Sequence, residues 1–183
     1  GETGVTVKYT DRDGNVREEK FEVALVAAGR RPNVQGLGVD ELGIDGAIDR
    51  YTTQWGHSHV FRAGDVNDEM PLLHEAADEG AIAGKNAALH AKGKPVVKGH
   101  RRTPLGIVFT HPNLAVIAGG YSAAQANANY ETGYIDFGDQ GRSRVMRENH
   151  GLAALYADKT THKFLGAELA APRGENMGHL LAW

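Results

Sequence analysis

Val60-Phe61-Arg62-Ala63-Gly64-Asp65 reads as a short apolar strand that stops at glycine and then presents a carboxylate. Glycine before the Asp leaves the backbone open to close approach, because no side chain blocks it. A carboxylate at the carboxyl end of a buried strand stands where open α/β sheets bind their ligands. Asp65 can accept hydrogen bonds from the hydroxyls of a sugar or a sugar alcohol. Soon afterwards Pro71-Leu72-Leu73-His74-Glu75 opens a helix. Proline at a helix start comes with free backbone N–H groups and the positive end of the helix dipole. A carboxylate beside a helix terminus suits a polyol joined to an electron-rich ring, so the stretch predicts a cofactor cradle.

Upstream, VTVKYT (residues 5–10) alternates like a half-buried strand, and DRDGN (residues 11–15) is a turn signalled by Asp-Gly. A return strand is expected to run to about Phe21. Val23-Ala24-Leu25-Val26-Ala27-Ala28 is continuously small and apolar, the pattern of a strand covered on both faces. Gly29 ends it, and Arg30-Arg31-Pro32-Asn33 follows. On the residues alone, a solvated turn and a functional loop are evenly matched there. Gly36-Leu37-Gly38 is no dinucleotide fingerprint, since Glu41 stands at the third glycine position and no strand leads directly into a helix. Residues 42–48 predict a short strand pair. His57 and His59 lack a third ligand nearby and read as a solvated loop. Asp65, Asp68 and Glu69 lack the glycine spacing of an EF-hand.

Downstream, residues 72 to about 90 have a helical composition. Ala76, Gly80, Gly84 and Ala87 form a small-residue stripe that predicts ordinary close packing against a sheet. Lys92, Lys94, Lys98, Arg101 and Arg102 then cluster around Gly93, Pro95 and Gly99. A solvated interdomain linker is the reading preferred over a surface for an acidic partner. Strands are expected at 105–109, 114–118, 134–137, 152–156 and 165–170, with a short helix at 122–126. Asp158-Lys159 begins a hairpin turn, and a last helix follows Pro172-Arg173-Gly174. This order predicts an α+β domain with an antiparallel sheet. Arg142, Arg144 and Arg147 read as a solvated strand face, and Ser122 and the scattered histidines carry no acyl-transfer motif.

The 183 residues suffice for one or two domains. Lys plus Arg number 20 against 23 for Asp plus Glu, a net charge of -3 that calls for neither nucleic acid nor an anionic membrane. No apolar run reaches the ~18 residues of a membrane span. No secretory segment is present either, so a soluble cytoplasmic protein is expected. The absence of cysteine rules out a disulfide scaffold, a thiolate metal site and a cysteine nucleophile within this chain. The chain begins at Gly1 rather than Met and ends at Trp183, where Met177, Leu180 and Leu181 keep helical spacing without a stop signal. A fragment of a longer protein is the expectation.

Val60 to Asp65 resembles the second flavin-binding motif of the pyridine nucleotide-disulfide oxidoreductases. Ala28 to Asn33 resembles that family's Ala-x-Gly-Arg-x-Pro-Asn signature, and Thr110-His111-Pro112 falls where its dimerisation domain carries the same tripeptide. LLHEAADEGAIAG (residues 72–84) is most similar to the dihydrolipoyl dehydrogenases of the family. His74-Glu75 and Trp55-Gly56 depart from the Ala-His and Thr-Ser frequent there, changes that leave backbone contacts intact. The resemblance implies an α/β and α+β chain in three parts. Residues 1–29 would end an NAD-binding domain, 30–98 would be the second segment of a Rossmann-like FAD-binding domain, and 99–183 a truncated dimerisation domain with an antiparallel sheet.

The resemblance also implies a chemistry. The parent would pass electrons from dihydrolipoamide through a cysteine disulfide and FAD to NAD⁺. Asp65 would hydrogen bond the ribityl chain, Gly64 would permit its approach, and Arg30 would support the flavin domain near the cofactor. Backbone N–H groups of Leu73, His74 and Glu75 would face the pyrimidine edge of the flavin, where negative charge develops on reduction. No catalytic or metal-ligating residue is assigned. The cysteine pair would lie upstream and the acid-base histidine-glutamate pair beyond Trp183. The implied partners are a second copy, forming a homodimer, and a 2-oxo acid dehydrogenase complex through its lipoyl domains. Few FAD contacts against a large entropic cost predict that this chain alone binds FAD weakly or not at all and is inactive. The competing assignments are glutathione reductase, mercuric reductase, a soluble transhydrogenase and a non-enzymatic dimerisation module.

Overall fold

Two antiparallel sheets organise residues 4–183, the part described by the computed structural model; Gly1, at the start of the first predicted segment, lies outside it. Strand β1 (Val5–Thr10) pairs with β2 (Val16–Phe21) in register Val5↔Phe21 to Thr10↔Val16. Asp11 closes their turn, accepting from the Asp13 N–H at 3.0 Å, the Asn15 N–H at 2.8 Å and the Arg17 Nε at 2.8 Å. The strand pair is where the sequence places it, but its alternation faces no core. Both strands are largely exposed, because no layer covers the hairpin among the described residues.

Three predicted strand segments do not form. Val23 to Ala28 is irregular, and Val23, Leu25 and Val26 are 80%, 91% and 84% exposed. A strand exists only by exchanging hydrogen bonds with a neighbour. None pairs with this run among the described residues. Val60 to Asp65 also departs from a strand: Phe61 makes a single bridge to Gln54, and Asp65–Asn67 is a 3-10 turn. The expected strand pair at 42–48 is replaced by a 3-10 turn at Asp40–Leu42 and a lone bridge from Ile48 to Trp55.

Helix α1 (Leu73–Ala91) lies within a turn's length of its predicted span. Its packed face is not the small-residue stripe. Gly80, Gly84 and Ala87 are exposed, whereas Glu75, Glu79, Ile82 and Asn86 are buried. The reason is what lies opposite. The helix packs on loop backbone rather than on a sheet, and loop backbone requires polar partners. Asn86 Nδ2 donates to the carbonyls of Thr52 and Val97 at 2.9 Å each, and its Oδ1 accepts from the Val97 N–H at 2.9 Å. Gly99 leaves the space that Ile82 fills.

The second sheet has the order β3-β4-β7-β6-β5 and is antiparallel at every pairing. Its strands are β3 (Leu105–Val108), β4 (Asn113–Ile117), β5 (Tyr130–Asp136), β6 (Leu152–Asp158) and β7 (Phe164–Ala171). Helices α2 (Gly120–Asn127), α3 (Gly141–Met146) and α4 (Gly174–Ala182) complete it. Ala115, Ile117, Ala153, Ala167, Leu169 and Ala171 form the buried core, against which Met177 and Leu181 of α4 pack. The hairpin between β6 and β7 is tied by Asp158, which accepts from Thr161 and Thr160. Those bonds, the Thr161 N–H first among them, draw its carboxyl down to about 2. Arg142 and Arg144 stand on α3 and not on a strand, and Arg147 closes that helix at φ 56°. Gln140 starts the helix by accepting the Ser143 N–H at 2.6 Å.

Part of one face of this sheet has no covering layer among the described residues, while Tyr121 of α2 packs on Tyr156 and donates its N–H to Glu168 on the same face. The register aligns Leu114 with Ala170 and Ala170 with Leu152, and aligns Val116, Glu168, Ala154 and Tyr134 in the next row. Leu114, Val116, Leu152 and Tyr134 are all exposed. No helix of the described residues is long and apolar enough to cross a membrane.

Candidate cofactor-binding site

The site is built around a turn and a helix terminus. Gly64 adopts φ 82° and ψ -156°, a backbone state that residues with a Cβ avoid. A Cβ there would lie 3.2 Å from that of Ala76. The glycine therefore first serves to admit helix α1, in addition to any ligand approach. Asp65 begins the 3-10 turn, which is closed by Asn67 N–H to Gly64 O at 2.9 Å and Asp68 N–H to Asp65 O at 3.2 Å. The Asp65 carboxylate stands 3.2 Å from the Arg30 guanidinium. Both side chains remain well exposed, so the carboxylate keeps lone pairs available for hydroxyl donors.

A cavity of about 530 Å³ opens beside this pair, lined by the Gly29–Asn33 loop and by Asp65, Val66, Asp68 and Pro71. Three of the predicted residues, Arg30, Gly64 and Asp65, thus converge although a long stretch of chain separates the first from the others. Leu73, His74 and Glu75 occupy the first turn of α1, as expected. Leu72 precedes them in extended conformation without a side-chain cap, and the first helical bond runs from the Ala76 N–H to Leu72 O at 2.9 Å. The three preceding N–H groups lie outside the helical ladder and are available to an electron-rich acceptor. The Leu73 side chain is exposed, but that of Glu75 is buried.

That burial exposes what sequence reasoning missed. Arg101, expected in a solvated linker, is buried with its guanidinium against the carboxylates of Glu75 and Glu79. Glu79 also reaches the turn, accepting the Gly64 N–H at 2.7 Å and the Asn67 Nδ2 at 2.8 Å. The spacing of Glu75, Glu79, Ile82 and Asn86 is that of one helix face, a signal open to reading had polar residues been counted as core candidates. The remaining linker charges behave as predicted: Arg102 pairs with Asp78 at the surface, and Lys98 lies 5.7 Å from the Tyr51 ring centroid. No group of His, Asp or Glu suited to a metal ion occurs among the described residues.

Residues 105–182 match the pyridine nucleotide-disulphide oxidoreductase dimerisation domain. A dihydrolipoyl dehydrogenase of Haloarcula marismortui is 32% identical over 95% of this chain, and one of Cupriavidus necator is 29% identical over 97%. Residues 105–182 of the chain belong to the pyridine nucleotide-disulfide oxidoreductase family. The whole chain spans 37% and 38% of the lengths of those two relatives. Among solved structures, LpdA of Mycobacterium tuberculosis superposes on the whole chain with a TM-score of 0.73 at 28% identity, matching 39% of that protein. The HOCl-induced flavoprotein disulfide reductase RclA of Escherichia coli shares the fold, with a TM-score of 0.71 at 19% identity. The five-stranded antiparallel sheet and its helices are the dimerisation domain.

Proposed function

We propose that this chain is part of an FAD-dependent, NAD-linked dithiol oxidoreductase of the dihydrolipoyl dehydrogenase type. The observation that carries the proposal is the Asp65–Arg30 pair at a cavity also lined by Pro71, two residues ahead of the uncapped first turn of α1. A carboxylate acceptor and a row of backbone donors fit a ribityl chain followed by a ring that takes up negative charge. Bound FAD would carry electrons between a dithiol and NAD⁺. Asp65 would hold the polyol, Arg30 would orient the Asp65 carboxylate, and the Leu73, His74 and Glu75 N–H groups would stabilise charge on the ring. In this division residues 1–29 close the nicotinamide domain, 30–98 return to the flavin domain, and 99–183 pair two copies. The reading extends to a lipoyl-domain partner in a 2-oxo acid dehydrogenase complex. The full-length parent should then oxidise dihydrolipoyl domains with NAD⁺, and failure to do so would remove that substrate.

The flavin assignment is tested on the chain itself. Isolated, it should hold riboflavin 5′-phosphate only weakly, and stoichiometric flavin in the purified chain would contradict that. In a fluorescence titration at millimolar flavin, Asp65→Asn should weaken binding by about tenfold, the scale of one hydrogen bond to a charged acceptor. An unchanged affinity would remove Asp65 from the site.

A further inference from the structure

The two arms of the cradle, the Gly64–Asp65 turn and the start of α1, are joined by one buried carboxylate. Glu79 Oε2 accepts the Gly64 N–H at 2.7 Å and the Asn67 Nδ2 at 2.8 Å. Its Oε1 accepts both terminal nitrogens of Arg101 at 3.0 Å. The Glu79 and Arg101 side chains are 4% and 5% exposed. Arg101 is fixed further by Glu75, in the first turn of α1, and by the Arg50 carbonyl at 3.4 Å. Each Glu79 oxygen is thereby committed, one to the turn and one to the guanidinium, so the carboxylate cannot rotate without breaking several charge-assisted bonds. From the other side, Ala76 of the same helix abuts Gly64.

We infer that Glu79, locked by Arg101, is a positioning residue that sets the Gly64–Asp65 turn against helix α1 and so fixes where the Asp65 carboxylate stands relative to the helix's free N–H groups. Arg101 precedes β3 by only a few residues. The clamp therefore also ties the cradle to the chain entering the dimerisation domain. The ligand consequence rests on the flavin reading above, whereas the clamp stands on its own geometry.

The experiment is amide hydrogen exchange by NMR on the 183-residue chain and its Glu79→Gln variant, with riboflavin 5′-phosphate as the probe. A glutamine at this position must set its NH₂ against either Arg101 or the Gly64 N–H, donor facing donor. The Gly64 amide is expected to exchange about tenfold faster in the variant, while amides of β5 to β7 keep their wild-type rates. Flavin affinity should fall along with Gly64 protection, and Arg101→Lys, which keeps the charge but loses the fork, should lie between the two. Unchanged Gly64 exchange in a folded Glu79→Gln chain would overturn the inference. Should that variant fail to fold, the wild type decides alone: protection of the Gly64 amide supports the clamp, and exchange at open-loop rates overturns it. Asp65→Asn separates the two readings. It should leave Gly64 protected whether or not the flavin assignment holds.

Discussion

Arg101→Met is expected to destabilise the chain by about 3–5 kcal/mol, the cost of leaving buried carboxylates without their countercharge. The side chains of Glu75 and Glu79 are 2% and 4% exposed, so water cannot take over from the guanidinium. Methionine fills much of the arginine stem's volume, which separates charge from packing. The loss would consume a large part of the ~5–15 kcal/mol that holds an ordinary domain together. Urea unfolding followed by helix circular dichroism measures it. A triple variant, Arg101→Met with Glu75→Gln and Glu79→Gln, should recover most of the loss, because no buried charge is left uncompensated. A single variant within about 1 kcal/mol of wild type would place this triad with surface ion pairs instead.

Leu152→Asp should separate the two copies of a homodimer without unfolding either one. On the proposed pairing of two copies through residues 99–183, the exposed apolar rows of the five-stranded sheet are the surface available for that contact. Leu114, Ala170 and Leu152 form one row across it, and Val116 and Tyr134 stand in the next. In a two-fold dimer every substitution appears twice, so two carboxylates would be desolvated together. At about 2 kcal/mol for each unpaired polar group, the dimer dissociation constant should rise on the order of a thousandfold. Sedimentation equilibrium reads this directly, with circular dichroism reporting an intact fold. A variant that still dimerises like wild type would move the contact to another surface.

The dimerisation domain was legible in the sequence almost element by element. Its strands are short and bounded by turn residues, and apart from the β4–β7 pair each meets its neighbour in sequence, so local pattern and tertiary demand largely coincide. Asp158 marked the β6–β7 hairpin correctly because its carboxylate makes that turn. The first hundred residues were legible as motifs but less so as structure. An apolar run such as Val23 to Ala28 shows what a strand would bury, not whether a partner strand stands beside it. The α1 stripe failed for a related reason. Small residues permit close packing, but the surface opposite is loop backbone, and this selected glutamate and asparagine for the buried face. Arg101 was hidden by its basic neighbours, since charge clustering along the sequence carries no information about which member turns inward. Gly64 and Asp65 stood out as candidates because a glycine before a carboxylate leaves a local signature, and Arg30 stood out through the resemblance alone. Their supports, Glu79 and Arg101, leave none.

The most direct test of the central claim is to map which amides respond when riboflavin 5′-phosphate and, separately, adenosine monophosphate are titrated into the chain by NMR. The flavin is expected to shift Asp65, Leu73, His74 and Glu75, the adenine nucleotide to leave them in place, and Asp65→Asn to move the flavin response to about tenfold higher flavin. Equal responses to both ligands, or flavin shifts elsewhere with these four residues silent, would contradict a flavin cradle at the Asp65 turn.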